Sequence, residues 1–483
     1  MSTTQKICLI ALFVLVIFFG FFHLTESPSF MFDEGWYFQT SANLATTGID
    51  GIQMAPGQIN HITTFLTVGY PLIYPLGLWF KIFSVGIFQA RFLMALFLIG
   101  FVAASYLLSK KMYGSVVALA VLTMVATFPP LYGNGKSVMG EVPGLFYLLL
   151  FLISSWNVRA DDARKIFWIV LSGLLAGLAV ATKPTFIVIV PGILIASYLE
   201  WRRGTLSLKE IGIGAASMFI PVLIWLVVQF RAGDSLTETL NYYANPYSLT
   251  DVRGVILNNI RHLFSDVGPL YTVSLLLVWA VAFFMRIKAR IKLHAEEIIA
   301  FAFSVLIFFA YLRTPGLYRY LLPAQLLSLI FFPYSLLYIS EAISRKVSVW
   351  HAKRMYVIAI ILLGILGVYQ LGFNSWVAQT YSSHKTASLQ AYFTNEIKGS
   401  ESVFFYNTPD VVPFMHGRNY YQYIILFDRS LGSENLPVLA AGRVDKVVAP
   451  TNYFEADKTG VFDHYTEIAK VYKYSILARR QKI

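Results

Sequence analysis

Charge is scarce in this sequence. Only 13% of its 483 residues are Asp, Glu, Lys or Arg, about half the share of a soluble globular chain. With 57% hydrophobic residues and a mean hydropathy of +0.62, most of the chain has lipid for its solvent. Cysteine is almost absent. Cys8 is the single one and lies in the first apolar run, so an intramolecular disulfide is excluded and any part outside the membrane holds by its own core. There is no His-Glu-x-x-His zinc motif, no Walker phosphate loop and no Gly-x-Ser-x-Gly nucleophile elbow. Internal repeats and low-complexity tracts are also missing.

The cations that are present give a net charge of +12. Their distribution argues against a nucleic-acid partner. They collect at Lys110-Lys111, at Arg159, Arg164 and Lys165, at Arg202-Arg203, at Arg286, Lys288, Arg290 and Lys292, and at Arg345, Lys346, Lys353 and Arg354. Each group follows or precedes an apolar run, so topology and anionic membrane lipid explain them. A spanning helix needs about 20 mostly apolar residues. Spans are expected over 7–24, 88–108, 115–131, 142–157, 166–182, 184–200, 211–230, 269–285, 297–312, 320–340 and 355–372. The first follows Lys6 and lacks a small-x-small cleavage signal, so it reads as an uncleaved membrane helix.

One further apolar stretch, Tyr70 to Phe83, is short, aromatic and holds Pro71 and Pro75. Laid in the membrane interface, it leaves every basic connection on one side. Counted as a span, it sends all of them to the other side. The positive-inside rule selects the first arrangement. The expected architecture is therefore an all-α polytopic bundle of about eleven transmembrane helices, with interfacial helices in the first external loop. It sits in the cell inner (cytoplasmic) membrane with a cytoplasmic N-terminus. Residues 1–373 form the membrane domain and 374–483 a small C-terminal α/β domain outside the cytoplasm. That tail holds twelve Lys/Arg against ten Asp/Glu, a balanced soluble surface. Short aromatic runs at 403–406, 423–427 and 447–449 suggest strands, and 388–398 reads as a helix.

The external connections carry the residues with chemistry. Asp33 and Glu34 stand side by side after the first span, in Phe32-Asp33-Glu34-Gly35-Trp36-Tyr37. Asp33 suits the N-cap of a helix from Glu34 to about Ala45. It equally suits proton transfer, because desolvation at a membrane edge raises a carboxylate's pKa. Glu141 opens the fourth span, where the helix dipole favours an acid; an intramembrane acid is also a functional candidate. Lys183 in a tight outer turn, Arg319 at the start of the tenth span, Arg91 and Lys136 are isolated cations near the same face. Each alone reads as a snorkelling anchor; together they suit one phosphate. His61 is a lone histidine, better read as a surface residue than as a metal ligand. Adjacent acids can hold a divalent metal, but no ligand set is readable and no cofactor is implied.

At these residues the chain resembles the C-type superfamily of integral-membrane glycosyltransferases, in particular its protein O-mannosyltransferase and lipid A aminoarabinose transferase branch. Asp33-Glu34 is similar to the branch's acidic pair. Pro71-Leu72-Ile73-Tyr74 through Trp79-Phe80-Lys81, then Ile87 to Arg91, is similar to its interfacial helix and following arginine. Met139-Gly140-Glu141, Ala181-Thr182-Lys183-Pro184 and Arg319-Tyr320-Leu321-Leu322-Pro323 follow in order, over roughly residues 7–340. One departure stands out: Thr67-Val68-Gly69-Tyr70-Pro71 has no lysine before the prolines, leaving His61 or Lys81 to replace it.

The resemblance implies a polyprenyl-phosphate sugar donor, a glycan, lipid or protein acceptor, and hexosyl or pentosyl transfer with inversion at the anomeric carbon. It makes Asp33 the base, with Glu34 and Glu141 as supporting acids. Lys183, Arg319, Arg91 and Lys136 become donor-phosphate ligands, and Tyr37, His61 and Tyr320 substrate contacts. A transporter or lipid-linked sugar flippase is the main alternative reading, and a membrane-anchored assembly or sensor protein a third.

Overall fold

The computed structural model describes residues 2–61, 67–160, 162–230, 249–344, 349–380, 384–426 and 429–480, together with 235, 237, 241, 244, 245 and 247. The basic pair Arg345 and Lys346 and part of the expected external connection 231–268 lie outside the described residues.

Each expected span falls on a helix. Nine helices among the described residues are long and apolar enough to cross a membrane. A tenth is a broken pair, Ser115–Ala126 and Pro129–Gly135, bent by 62°. Pro129 and Pro130 cause the break, since each removes a backbone donor and the first biases the residue before it away from helix. The eleventh lies in the helix Val349–Thr380, whose apolar part is Val357–Gly372. Prolines also shape two later span starts. Pro184 opens a 3₁₀ turn over Pro184–Ile189, and the turn Tyr318–Leu321 precedes Pro323 in Leu322–Ser344.

The stretch read as interfacial is a helix, Tyr70–Phe83, of 14 residues. At 1.5 Å per residue it is about 21 Å long, short of a bilayer core of about 30 Å.

The two ends of the bundle are sorted by their ion pairs. At one end Arg159 meets Glu296 at 2.5 Å and Glu200 at 3.9 Å, Arg203 meets Glu200 at 2.7 Å, and Arg286 pairs with Glu297. At the other end Lys183 meets Glu141 and Arg319 meets Asp33. The basic connections and the candidate site are thus on opposite faces.

The C-terminal segment forms a mixed six-stranded sheet. Its strands are β3 (Val403–Tyr406), β4 (Tyr420–Leu426), β5 (Arg429–Leu431), β6 (Lys446–Pro450), β7 (Tyr465–Val471) and β8 (Tyr474–Arg479), in the order β5-β4-β3-β6-β8-β7. β3 pairs in parallel with β4 and β6, and the other pairings are antiparallel. The helix Lys385–Glu396 covers it near the expected position.

This sheet shares a core with the loop that follows the first span. Phe30, Phe38 and Leu72 pack in one cluster with Phe393, Phe405 and Ile476. The loop's own small hairpin, β1 (Ile52–Ala55) and β2 (Gln58–Asn60), joins it. Polar ties are equally close. Gln39 donates to the Pro409 carbonyl at 2.9 Å, Asn435 to the Met54 carbonyl at 2.9 Å, and Glu26 accepts the backbone N–H groups of Thr386 and Ala387. Glu26 thereby caps the Lys385–Glu396 helix from another part of the chain.

Candidate active site

The helix Phe32–Thr47 sets the position of both adjacent acids. Its N-cap is Met31, not Asp33, and no side chain caps it there. Glu34 performs the capping role instead, accepting weakly from the Met31 N–H at 3.4 Å. Being neighbours on a helix, the two acids point about 100° apart, and they have different surroundings.

Glu34 is fully buried. Arg91 grips it with two parallel hydrogen bonds, Nε to Oε1 and Nη2 to Oε2, both 2.8 Å. The Val138 N–H adds a third contact at 3.2 Å. The remaining Arg91 nitrogen, Nη1, donates to the carbonyls of Leu24, Thr25 and Pro28. This bidentate pair is a staple between the first loop and the bundle, with its polar atoms committed to protein. Lys136 lies nearby, 1% exposed, and donates to the Phe22 carbonyl at 3.0 Å. Burial, then the Arg91 charge, lowers its pKa to about 7.

Asp33 turns to the other side and meets Arg319, with Oδ2 2.5 Å from Nη2. About a third of the Asp33 side chain remains exposed. Arg319 also donates to the Tyr320 hydroxyl at 3.1 Å and lies over that ring. Glu141, at the start of its span, lies 2.9 Å from Lys183 Nζ, and both side chains are buried. That contact is close but poorly directed: neither Glu141 oxygen has a hydrogen bond of good geometry. Arg319 Nε and the Trp36 indole N–H are likewise buried without a partner. Glu141 feels the charges of both Lys183 and Arg319, and Arg319 those of both acids. Tyr37 is beside them, its hydroxyl 3.0 Å from that of Thr67. Burial, then Asp33, pushes its phenol well above the usual range, so it is a neutral hydrogen-bonding group.

Asp33, Tyr37, Glu141, Lys183, Arg319 and Tyr320 therefore form one site, drawn from four separate segments. Glu34, Arg91 and Lys136 form a buried network behind it. His61 belongs to a third group, with Nδ1 2.9 Å from Asp50 Oδ1, while Tyr74 donates to Asp50 Oδ2 at 3.0 Å. Among the described residues no three His, Cys, Asp or Glu side chains gather as a metal site requires. An apolar cavity of about 330 Å³ lies toward the opposite end, beside Arg159 and Glu200, and is not part of this site.

Sequence reasoning missed Asp50, Thr67, Trp36 and Gly69. Only Gly69 carried a signal, standing just before the interfacial helix. Its N–H donates to the Thr182 carbonyl at 3.0 Å, and a Cβ there would lie 1.9 Å from the Ala181 carbonyl oxygen. The absence of a side chain lets the interfacial helix dock on the Lys183 turn.

Residues 71–225 match the family described as dolichyl-phosphate-mannose-protein mannosyltransferase. ArnT from Cupriavidus metallidurans, in its apo state, shares the fold with a TM-score of 0.63 at 14% identity, over 99% of this chain and 98% of that one. The same protein bound to undecaprenyl phosphate superposes equally well. The archaeal oligosaccharyltransferase AglB from Archaeoglobus fulgidus, in complex with an inhibitory peptide and a dolichol-phosphate, has a TM-score of 0.54 at 12% identity. That likeness covers 99% of this chain and 75% of AglB. No curated relative matches in sequence. The fold is thus shared with ArnT and AglB over 99% of the chain, and the family match lies in the segment that carries Arg91, Glu141 and Lys183.

Proposed function

We propose that this chain transfers a hexosyl or pentosyl group from a polyprenyl-phosphate carrier to an acceptor hydroxyl, on the face opposite its basic connections. One observation carries the reading. Glu141 Oε2 and Arg319 Nε are buried without a hydrogen-bond partner, while Glu141 Oε1 has only its ion pair with Lys183, beside a partly exposed Asp33. Unsatisfied buried polar groups are costly, and a phosphate and a sugar or acceptor hydroxyl would satisfy these. The carrier phosphate of ArnT and the dolichol-phosphate of AglB are of the chemistry this site suits.

In this mechanism the acceptor oxygen attacks the anomeric carbon as the bond from that carbon to the phosphate oxygen breaks. Asp33 takes the acceptor proton. The leaving polyprenyl phosphate gains one negative charge, stabilised by Lys183 and Arg319. Glu141 orients Lys183 and accepts from a substrate hydroxyl, and Tyr37 donates a hydrogen bond without ionising. Glu34, Arg91 and Lys136 hold the loop that presents Asp33. Attack and departure on opposite faces of the sugar invert the anomeric carbon. The basic face is cytoplasmic in this reading, so the N-terminus is inside and the sheet domain outside the inner membrane.

The test is transfer by the purified chain from a labelled polyprenyl-phosphate sugar, with release of the polyprenyl phosphate measured alongside. Asp33→Asn keeps the shape of the side chain but has no useful proton affinity. It should cost about 10²- to 10⁴-fold in rate at saturating donor while leaving the thermal melt near the parent's. Full activity in that variant would remove the base from the mechanism.

A further inference from the structure

The basic face carries a groove that the proposed chemistry does not use. Its volume is about 630 Å³, and it lies between the helices Val190–Arg202, Val267–Lys288 and Ala295–Leu312. One wall is apolar, made by Ile195, Leu199, Phe283, Ile287 and Ile291. Ile195, Ile287 and Ile291 are about half exposed. The polar lining is three cations, Arg203, Arg290 and Lys292, with no acid among the lining residues.

The local chain path builds this arrangement. The helix Val267–Lys288 ends in a tight turn, where Arg290 takes a left-handed conformation with φ of 56°. The Ile291 N–H then reaches back to the Arg286 carbonyl at 2.9 Å. That reversal brings Ile291 and Lys292 into the lining of the groove. The nearby acids are already engaged: Glu297 with Arg286, Glu296 with Arg159, and Glu200 with Arg203. Arg290 and Lys292 are exposed and have no ion-pair partner among the described residues. The groove therefore presents two unspent positive charges and a shared third above an apolar slot.

We infer that this groove holds one anionic phospholipid of the inner leaflet. Its phosphate would sit among Arg203, Arg290 and Lys292, and an acyl chain would run along Ile195, Phe283 and Ile287. Charge complementarity selects an anionic head over a zwitterionic one, because a basic pocket between membrane helices favours anionic lipid. The apolar wall selects a lipid over free inorganic phosphate. The inference rests on the basic face being cytoplasmic, but not on the transfer chemistry.

The chain is reconstituted in nanodiscs of mixed phosphatidylglycerol and phosphatidylcholine, and lipids retained after gentle detergent release are counted by native mass spectrometry. One phosphatidylglycerol should stay bound in preference to phosphatidylcholine. In R290Q/K292Q its retention should fall on the order of tenfold, with the melt unchanged in lipid-free detergent. The control R202Q/K288Q removes two cations of the same face that do not line the groove and should retain the lipid. Equal retention of both lipids, or equal loss in the control, would overturn a specific site. Displacement by a polyprenyl phosphate at lower concentration than by phosphatidylglycerol would reassign the groove to the sugar carrier and overturn the phospholipid inference. A reporter fused after Lys292 should read cytoplasmic, and an external reading would overturn it as well.

Discussion

Two neighbouring carboxylates, Asp33 and Glu34, each pair with an arginine, but one is partly exposed and the other sealed, which makes them separable by experiment. Glu34 is sealed against Arg91 with no exposure on either side chain. Neutralising one partner of such a pair leaves a buried charge uncompensated, at a cost of about 3–5 kcal/mol. Glu34→Gln should therefore lower the melting temperature and the yield of folded protein, and any loss of transfer should track the folded fraction. A variant that melts like the parent yet is inactive would move Glu34 into the chemistry. Lys136 gives a pH signature. Its amine has a pKa of about 7 in the folded chain against about 10.4 when unfolded. Between those values the unfolded chain binds more protons, so stability from this residue rises as pH increases from about 7 toward 10. The slope approaches about 1.4 kcal/mol per pH unit. Lys136→Met should flatten the rise in melting temperature between pH 7 and 9; an unchanged profile would mean that the lysine stays charged.

At the scale of elements, what could be read in advance was whatever has a local physical cause. Apolar runs, prolines and one-sided cations located the spans and the interfacial helix Tyr70–Phe83, whereas the break at Pro129 inside the expected span 115–131 was not anticipated. The acidic residues were visible too, but their roles were not. A sequence does not tell which of two adjacent acids a helix turns toward Arg91, 57 positions away, and which toward Arg319. The hairpin β7-β8 was missed for a clear reason. Its turn places Tyr472, with φ of 56°, where glycine or asparagine is the usual signal, and Glu467 and Lys470 break the apolar pattern. Gly69 offers a test of how elements set the site. Gly69→Ala adds one methyl against the backbone oxygen of Ala181, which has no rotamer to yield. The interfacial helix must then shift away from the Lys183 turn. Donor KM is expected to rise and kcat to fall together, because a shift of about 1 Å in positioning groups costs about 10²-fold. Parent-like kinetics would show that this docking does not govern the site.

For the molecule as a whole, the dominant fact is the union of the loop after the first span with the C-terminal sheet. No local pattern announces it, since the contacts join residues more than 350 positions apart. Lys385 concentrates the union in one side chain. Its Nζ donates to the Phe30 carbonyl at 2.7 Å and to Asp410 Oδ2 at 2.5 Å, and Tyr474 donates to the same carboxylate oxygen. Phe30 lies three residues before Asp33, so the sheet domain holds the strand of chain that presents the proposed base. Lys385→Met alone should destabilise strongly, because it leaves Asp410 buried without its cation. The informative variant is Lys385→Met/Asp410→Leu, in which the charge pair is replaced by apolar side chains. Such replacements are often neutral for stability, so the melt should recover toward the parent's. The tie to the Phe30 carbonyl stays lost, however, and Asp33 is then held less firmly. Transfer at saturating donor should remain well below the parent's even with the melt restored, while donor KM, set at Lys183 and Arg319, changes little. If the stable double variant transfers at the parental rate, the sheet domain serves the fold alone, and the positioning of Asp33 resides in the Glu34–Arg91 staple.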